Sequence, residues 1–319
     1  MNNPQQQDTS DIHISSLFGE YLFGSPADSL ADLSYEEDLL YYKVNALIEQ
    51  QEQLASFIPS PPAGIVSLLK ELESENTDFN KIKNLAQQDP NIVGEIIRVS
   101  NSPLYLTRSG DVTSLEKAIS LLGLNGVMKV ATVVMMRKTL SIETSRYKPQ
   151  MLRLWNHCVN SAESCQMLGE TGKGFENFVL GLVHDIGAVT VFSLVSHCLD
   201  ELSAVTRSEL KVLQRVVEER STWLSTLVAA EWHLPEHYLL VLNEYDRIRS
   251  GKMDEDDYAL TDPQARLVQL GSICARVFTL IRRGNLDRAS GLRALASLGV
   301  DEKTLDRLFT RLDLAGSVF

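Results

Sequence analysis

With 319 residues, 44% of them hydrophobic, the chain can bury a sizeable core without covalent staples. Its 30 basic and 42 acidic residues give a formal charge of -12, which repels phosphate backbones and disfavours nucleic acid as a partner. Cys158, Cys165, Cys198 and Cys274 share no CxxC spacing and lie in apolar stretches, so buried reduced thiols are expected rather than a disulfide framework or a zinc ribbon.

Residues 1–34 are rich in Gln, Asn, Ser and Asp, with Phe18, Tyr21 and Phe23 scattered among them and no sustained period, so a flexible tail with one docking segment is expected. The N-terminus has neither the basic start nor the apolar run of a signal peptide, which points to a cytoplasmic location. Over 35–57, Leu40, Val44, Leu47 and Leu54 keep helical spacing, giving an amphipathic helix suited either to a partner or to the chain's own core. The run Ile58-Pro59-Ser60-Pro61-Pro62 then breaks it and reads as a linker.

Beyond the linker, helix signals recur and no alternating strand pattern stands out. Asp89-Pro90 and Asp262-Pro263 each pair an N-cap with a proline at the first helical position, and Thr113 to Glu116 has the form of a capping box. Val127 to Leu140 is β-branched enough for a strand, yet Val127, Val130, Ala131 and Val134 fall on one helical face, which favours helix. Further helices are expected over 150–170, 175–198, 206–219, 221–232, 235–249 and 263–283, and a last one from Asp301. Phe178 to Val195 is almost long and apolar enough to span a bilayer, but a histidine and an aspartate at its middle favour a helix buried in protein, and no membrane association is expected. The basic stretches Arg137 to Arg153 and Arg276 to Arg293 read as solvated helix faces. The fold expected is all-α and irregular. Its two helical lobes, 58–145 and 146–250, form one domain over 58–250, followed by a C-terminal helical extension over 251–319.

The residues with chemistry to offer are few. His184 and Asp185 lie inside the apolar run, where a polar pair must find partners or lose several kcal/mol to desolvation. Imidazole nitrogen and carboxylate oxygen together suit Zn, Fe or Mn. On an upstream helix, Leu154, Cys158, Ala162 and Cys165 form a core face with His157 at its edge, within reach of the same ion. No phosphate-binding Gly-rich loop, GxSxG elbow or HExxH zinc motif is present.

These elements, in this order, resemble the HDOD domain, a helical bacterial signalling output module related to HD-domain phosphohydrolases. The first half is carried by Ile58 to Pro62, Gln88-Asp89-Pro90, Val99 to Tyr105 and Ala118 to Gly123. The second half is carried by Trp155-Asn156-His157, Gly181 to Gly187 and the Trp-x-Leu-Pro element Trp232 to Pro235. The resemblance implies that His157 is the first ligand of an HD-type metal site, with His184 and Asp185 as its central pair. The closing aspartate is expected within Leu267 to Arg276, where Ser272 or Gly271 stands instead. Glu163, Glu244 and Asp246 are the carboxylates that could replace it.

Two readings stay open. One is a non-catalytic output domain acting through signalling protein partners, with a small nucleotide-like ligand in the degenerate site. The other is a metal-dependent phosphohydrolase with a rebuilt shell around a single Fe, Mn or Zn ion.

Overall fold

The computed structural model describes residues 4–24, 33–61, 64, 90–103, 105, 111–140, 145–202, 209–251 and 255–316, and every regular element among them is an α-helix. The polar start of the chain is α1 (Pro4–Phe23), where a flexible tail is expected. It is helical because Ile14, Phe18 and Leu22 recur about one turn apart and are buried, together with Phe23, against the rest of the protein. The polar residues that conceal this stripe in the sequence lie between its members. The following α2 (Tyr35–Ile48) opens with a capping box in which Ser34 Oγ accepts from Glu37 N and Ser34 N donates to the Glu37 carboxylate at 2.6 Å. It buries Leu40, Val44 and Ile48 against the protein itself, and the short α3 (Gln51–Ala55) follows it. The Pro59 carbonyl of the linker accepts a 2.7 Å hydrogen bond from Trp232 Nε1, which pins the linker to the Trp-x-Leu-Pro element.

The first lobe contributes α4 (Pro90–Ser100) and α5 (Leu115–Thr139), which pack on each other. Asn101 buckles them together, since its side chain donates to the Ile97 and Val112 carbonyls and accepts from Val112 N. Helix α5 is capped by Ser114, one residue later than the capping box expected at Thr113. Gly123, at φ 68, bends it. Asp89, expected as the cap of α4, lies outside the described residues. Val127 to Thr139, with its β-branched residues, is helical.

In the second lobe α6 (Lys148–Leu168) is the spine. Against it lie α7 (Gly174–Val183), α12 (Pro263–Arg283) and α14 (Glu302–Ala315). Helix α8 (Gly187–Leu202) packs on α9 (Glu209–Glu231), and α10 (Glu236–Arg249) closes the lobe against α9 and α12. Helices α11 (Glu255–Leu260) and α13 (Arg288–Ser297) complete the chain. The extension expected over 251–319 therefore gives its longest helix, α12, to the core of the second lobe. Two apolar stretches, Leu115–Thr139 and Gly174–Leu202, reach membrane-spanning length, and 94% of the most apolar window of the second is buried inside the protein. All four cysteines are buried free thiols.

Candidate metal centre

The helix expected over 175–198 is broken at the pair of interest. Residues 184–186 form a turn between α7 and α8, in which Ile186 N donates to Val183 O and Ala188 N to Asp185 O, each three residues back. Two glycines allow this turn to sit between neighbouring helices. A Cβ on Gly181 would lie 2.7 Å from Ala162 Cα, and one on Gly187 would lie 2.2 Å from Ser221 O, so α7 meets α6 and α8 meets α9 at backbone distance. Gly187 N also donates to Ser225 Oγ at 2.9 Å.

The turn aims both side chains at α6. Ligand atoms of His157, His184 and Asp185 all lie within 4.8 Å of one another, and all three residues are buried. Asp185 Oδ2 stands 3.3 Å from His184 Nε2 and 3.5 Å from His157 Nε2. Ser272 Oγ, on α12, lies 3.3 Å from the same His157 nitrogen, so the residue at the expected fourth ligand position faces the trio with a neutral hydroxyl. Burial pushes the His157 imidazole down to about 3, against the pull of Asp185. For Asp185, burial acts upward, but its neighbours His184, Arg249 and His157 hold the carboxyl well below its ordinary range.

The carboxylates that could complete the shell are engaged elsewhere. Glu163 accepts from Arg311 Nε at 3.0 Å and pairs with Lys129. Glu244 accepts from Asp262 N at 2.5 Å, and Asp246 accepts from the Thr222 hydroxyl. Among the described residues, His157, His184 and Asp185 are the group placed to share an ion.

Three groups that sequence reasoning missed complete the surroundings. Arg249, in the last turn of α10, donates to Asp185 Oδ1 at 3.3 Å, so part of the charge a metal would supply already comes from the protein. Arg276 lies one helical turn beyond Ser272 and is buried, not on the solvated face expected for that basic stretch. Phe18 of α1 lays its ring 4.7 Å, centroid to centroid, from that of His157. The only sequence signals for these were a basic residue at a helix end, a four-residue spacing from Ser272 and an aromatic in a polar segment. None of the three is specific.

The trio nevertheless fits a cation. His184 Nδ1 is 2.8 Å from the Gly181 carbonyl, where a ring nitrogen must donate, so Nε2 is the atom left to face the Asp185 carboxylate, at 3.3 Å. That nitrogen has no hydrogen-bond partner among the described residues. Two acceptors facing each other in a buried site are reconciled by a proton or a metal ion between them.

Comparison with known proteins places these features in a lineage. The chain resembles a solved HDOD domain protein with unknown function from Geobacter sulfurreducens at 18% identity and a TM-score of 0.57, covering 86% of this chain and 98% of the other. It also resembles a Shewanella amazonensis structure named "Putative metal-dependent phosphohydrolase", at 18% identity and a TM-score of 0.54, covering 84% and 99%. A third, named "Putative signal transduction protein", from Marinobacter aquaeolei, aligns at 15% identity and a TM-score of 0.56 over 91% of this chain and 67% of that one. At these identities the likeness establishes a shared fold. No curated protein matches the sequence. The family model described as the HDOD domain matches residues 58–247, more than half of the chain and the stretch that carries His157, His184 and Asp185, and the chain therefore belongs to the HDOD family.

Proposed function

We propose that this chain is a non-catalytic signal-transduction output domain of the cytoplasm, acting through protein contacts, in which the His-Asp pair is a closed structural centre. The observation that carries this reading is how the centre is shut. Arg249 occupies one oxygen of Asp185, Ser272 brings no charge, and Phe18 covers His157. Metal-assisted hydrolysis needs an open coordination position for water and a route for the phosphoester, and with α1 docked this packing offers neither. If an ion is held, His157, His184 and Asp185 would hold it, and it would supply Lewis acidity to a site that the docked α1 covers. The orphaned His184 Nε2 supports such an ion, and with it the second reading, a metal-dependent phosphohydrolase.

The two readings part in one assay. The purified chain, supplied with Mn, Fe or Zn, is expected to leave bis(p-nitrophenyl) phosphate unhydrolysed beyond the metal-only blank. Turnover that disappears in His184→Ala would replace the output-domain reading with the enzymatic one.

A further inference from the structure

We propose that α1 is a displaceable plug seated on a binding site for a mononucleotide, whose phosphate and base would take the places of Ser15 and Phe18. This rests on the reading of the centre as non-catalytic and adds the ligand class and the means of control.

The Arg276 guanidinium is buried, and among the described residues its Nε has no hydrogen-bond partner and no carboxylate pairs with it. What satisfies it comes from α1. Nη1 donates to Ser15 Oγ at 2.9 Å, and the Phe18 ring centroid lies 5.7 Å from the guanidinium carbon. Buried arginines ordinarily hold an anion, and the planar fork matches phosphate in bidentate fashion. A serine hydroxyl is a minimal substitute for that anion.

The same pattern runs along the helix. Arg153 Nη1 donates to the last carbonyls of α1, Tyr21 O at 2.8 Å and Leu22 O at 3.1 Å, and both Arg153 and Arg283 lie against the Tyr21 ring. So α1 covers three arginines of α6 and α12 in a protein of net charge -12, and the described residues of α1 that hold them offer hydroxyl, carbonyl and aromatic groups. The acidic groups near the covered surface are spoken for. Asp185 is paired with Arg249, and Glu218 accepts from Gln214 Nε2 at 2.9 Å. The Phe18 ring meets that of His157 at 51°, so its departure leaves a space of aromatic dimensions beside the imidazole.

Displacement has a physical handle. Gly19 lets α1 lie close to α9, since a Cβ there would stand 2.6 Å from Gln214 Nε2 and 2.9 Å from Glu218 Oε1, with Gln214 fully buried. The ends of those two side chains can yield to a methyl group, but a leucine adds bulk against the fully buried Gln214 and is expected to loosen the helix without altering a group in the pocket. Because the docked plug leaves only a small fraction of molecules open, it weakens apparent affinity by that fraction.

The test measures binding of adenosine 5′-monophosphate and of inorganic phosphate to the full chain by calorimetry. Gly19→Leu is expected to bind the nucleotide roughly 10- to 100-fold more tightly than the wild type. Inorganic phosphate should bind the same variant more weakly, and Arg276→Gln in that background should abolish binding of both. In the wild type, the nucleotide should speed hydrogen exchange of the amides over 14–23. Equal affinities in wild type and Gly19→Leu, no binding to either, or binding indifferent to Arg276→Gln each overturn the proposal. Phe18→Ala replaces Gly19→Leu if circular dichroism shows that variant unfolded, with the same expectations. Hydrolysis of the nucleotide in these samples would overturn the output-domain reading instead, and leaves the affinity comparison to judge the plug.

Discussion

Lys129 and Glu163 meet in the interior, and neither side chain has appreciable contact with water. The carboxylate lies between two cations, Lys129 and Arg311, while Lys129 must share its partner. Burial therefore wins for the lysine and pushes it down to about 8, although Glu163 pulls the other way. For Glu163, burial acts upward, yet the two cations hold the carboxyl below its ordinary range. The unfolded chain, with an ordinary lysine, binds more protons between about pH 8 and 10.5, so the lysine's contribution to stability rises with pH across that window. The expected slope is about 1 kcal/mol per pH unit at most. It is read as the difference in urea unfolding free energy between the wild type and Lys129→Met, and a flat difference over that window would contradict it. Arg249 is the second residue with a measurable consequence. Its positive charge beside Asp185 opposes a divalent ion in the trio, so Arg249→Met should bind Zn at least about 10-fold more tightly by calorimetry.

At the scale of elements, the turn between α7 and α8 depends on side chains that are missing. The nearest atoms to a Cβ on Gly187 are backbone atoms of α9, Ser221 O, Leu224 C and Ser225 N, and backbone cannot swing aside as a side-chain end would. Gly187→Ala should therefore force α8 away from α9, costing about 1–3 kcal/mol and lowering the melting temperature. Sequence periodicity could not find this turn. The run Phe178 to Val195 is apolar on nearly every face because all of it except Ser193 is buried, so nothing in its pattern marks where the axis bends. The same ambiguity merged α7 and α8 in the sequence reading and split α9, a single helix over Glu209–Glu231, at residue 220. Elements with polar punctuation were legible. The Asp262 side chain does accept from Gln264 N ahead of Pro263, and Asp301 caps α14 through Thr304 N. In α1, by contrast, the buried stripe of Ile14, Phe18 and Leu22 was too sparse to rise above the polar residues around it.

For the whole molecule, α6 is the member through which distant segments meet. Its Glu163 ties α5 of the first lobe to α14 near the C-terminus, and Arg311 extends the connection to the Tyr105 hydroxyl at 3.3 Å. One turn and a half earlier on the same helix, His157 meets the turn, α12 and α1. Glu163→Gln would leave Lys129 buried without its countercharge and should cost about 3–5 kcal/mol in urea unfolding. A loss under about 1 kcal/mol would show that water or a rearranged partner takes the place of the carboxylate.

What the sequence determined by itself is the helical class, the family and the identity of the metal-capable trio, because these are written in local devices: caps, prolines, apolar spacing and short ordered motifs. Tertiary structure alone decided what surrounds that trio. Arg249, Arg276 and Phe18 come from helices far apart in the chain, and neither a lone arginine at a helix end nor an aromatic in a polar segment announces its partner. A metal ligand is recognisable from its residue type, whereas the groups that neutralise, cover or replace it are defined by proximity in space, which only folding supplies.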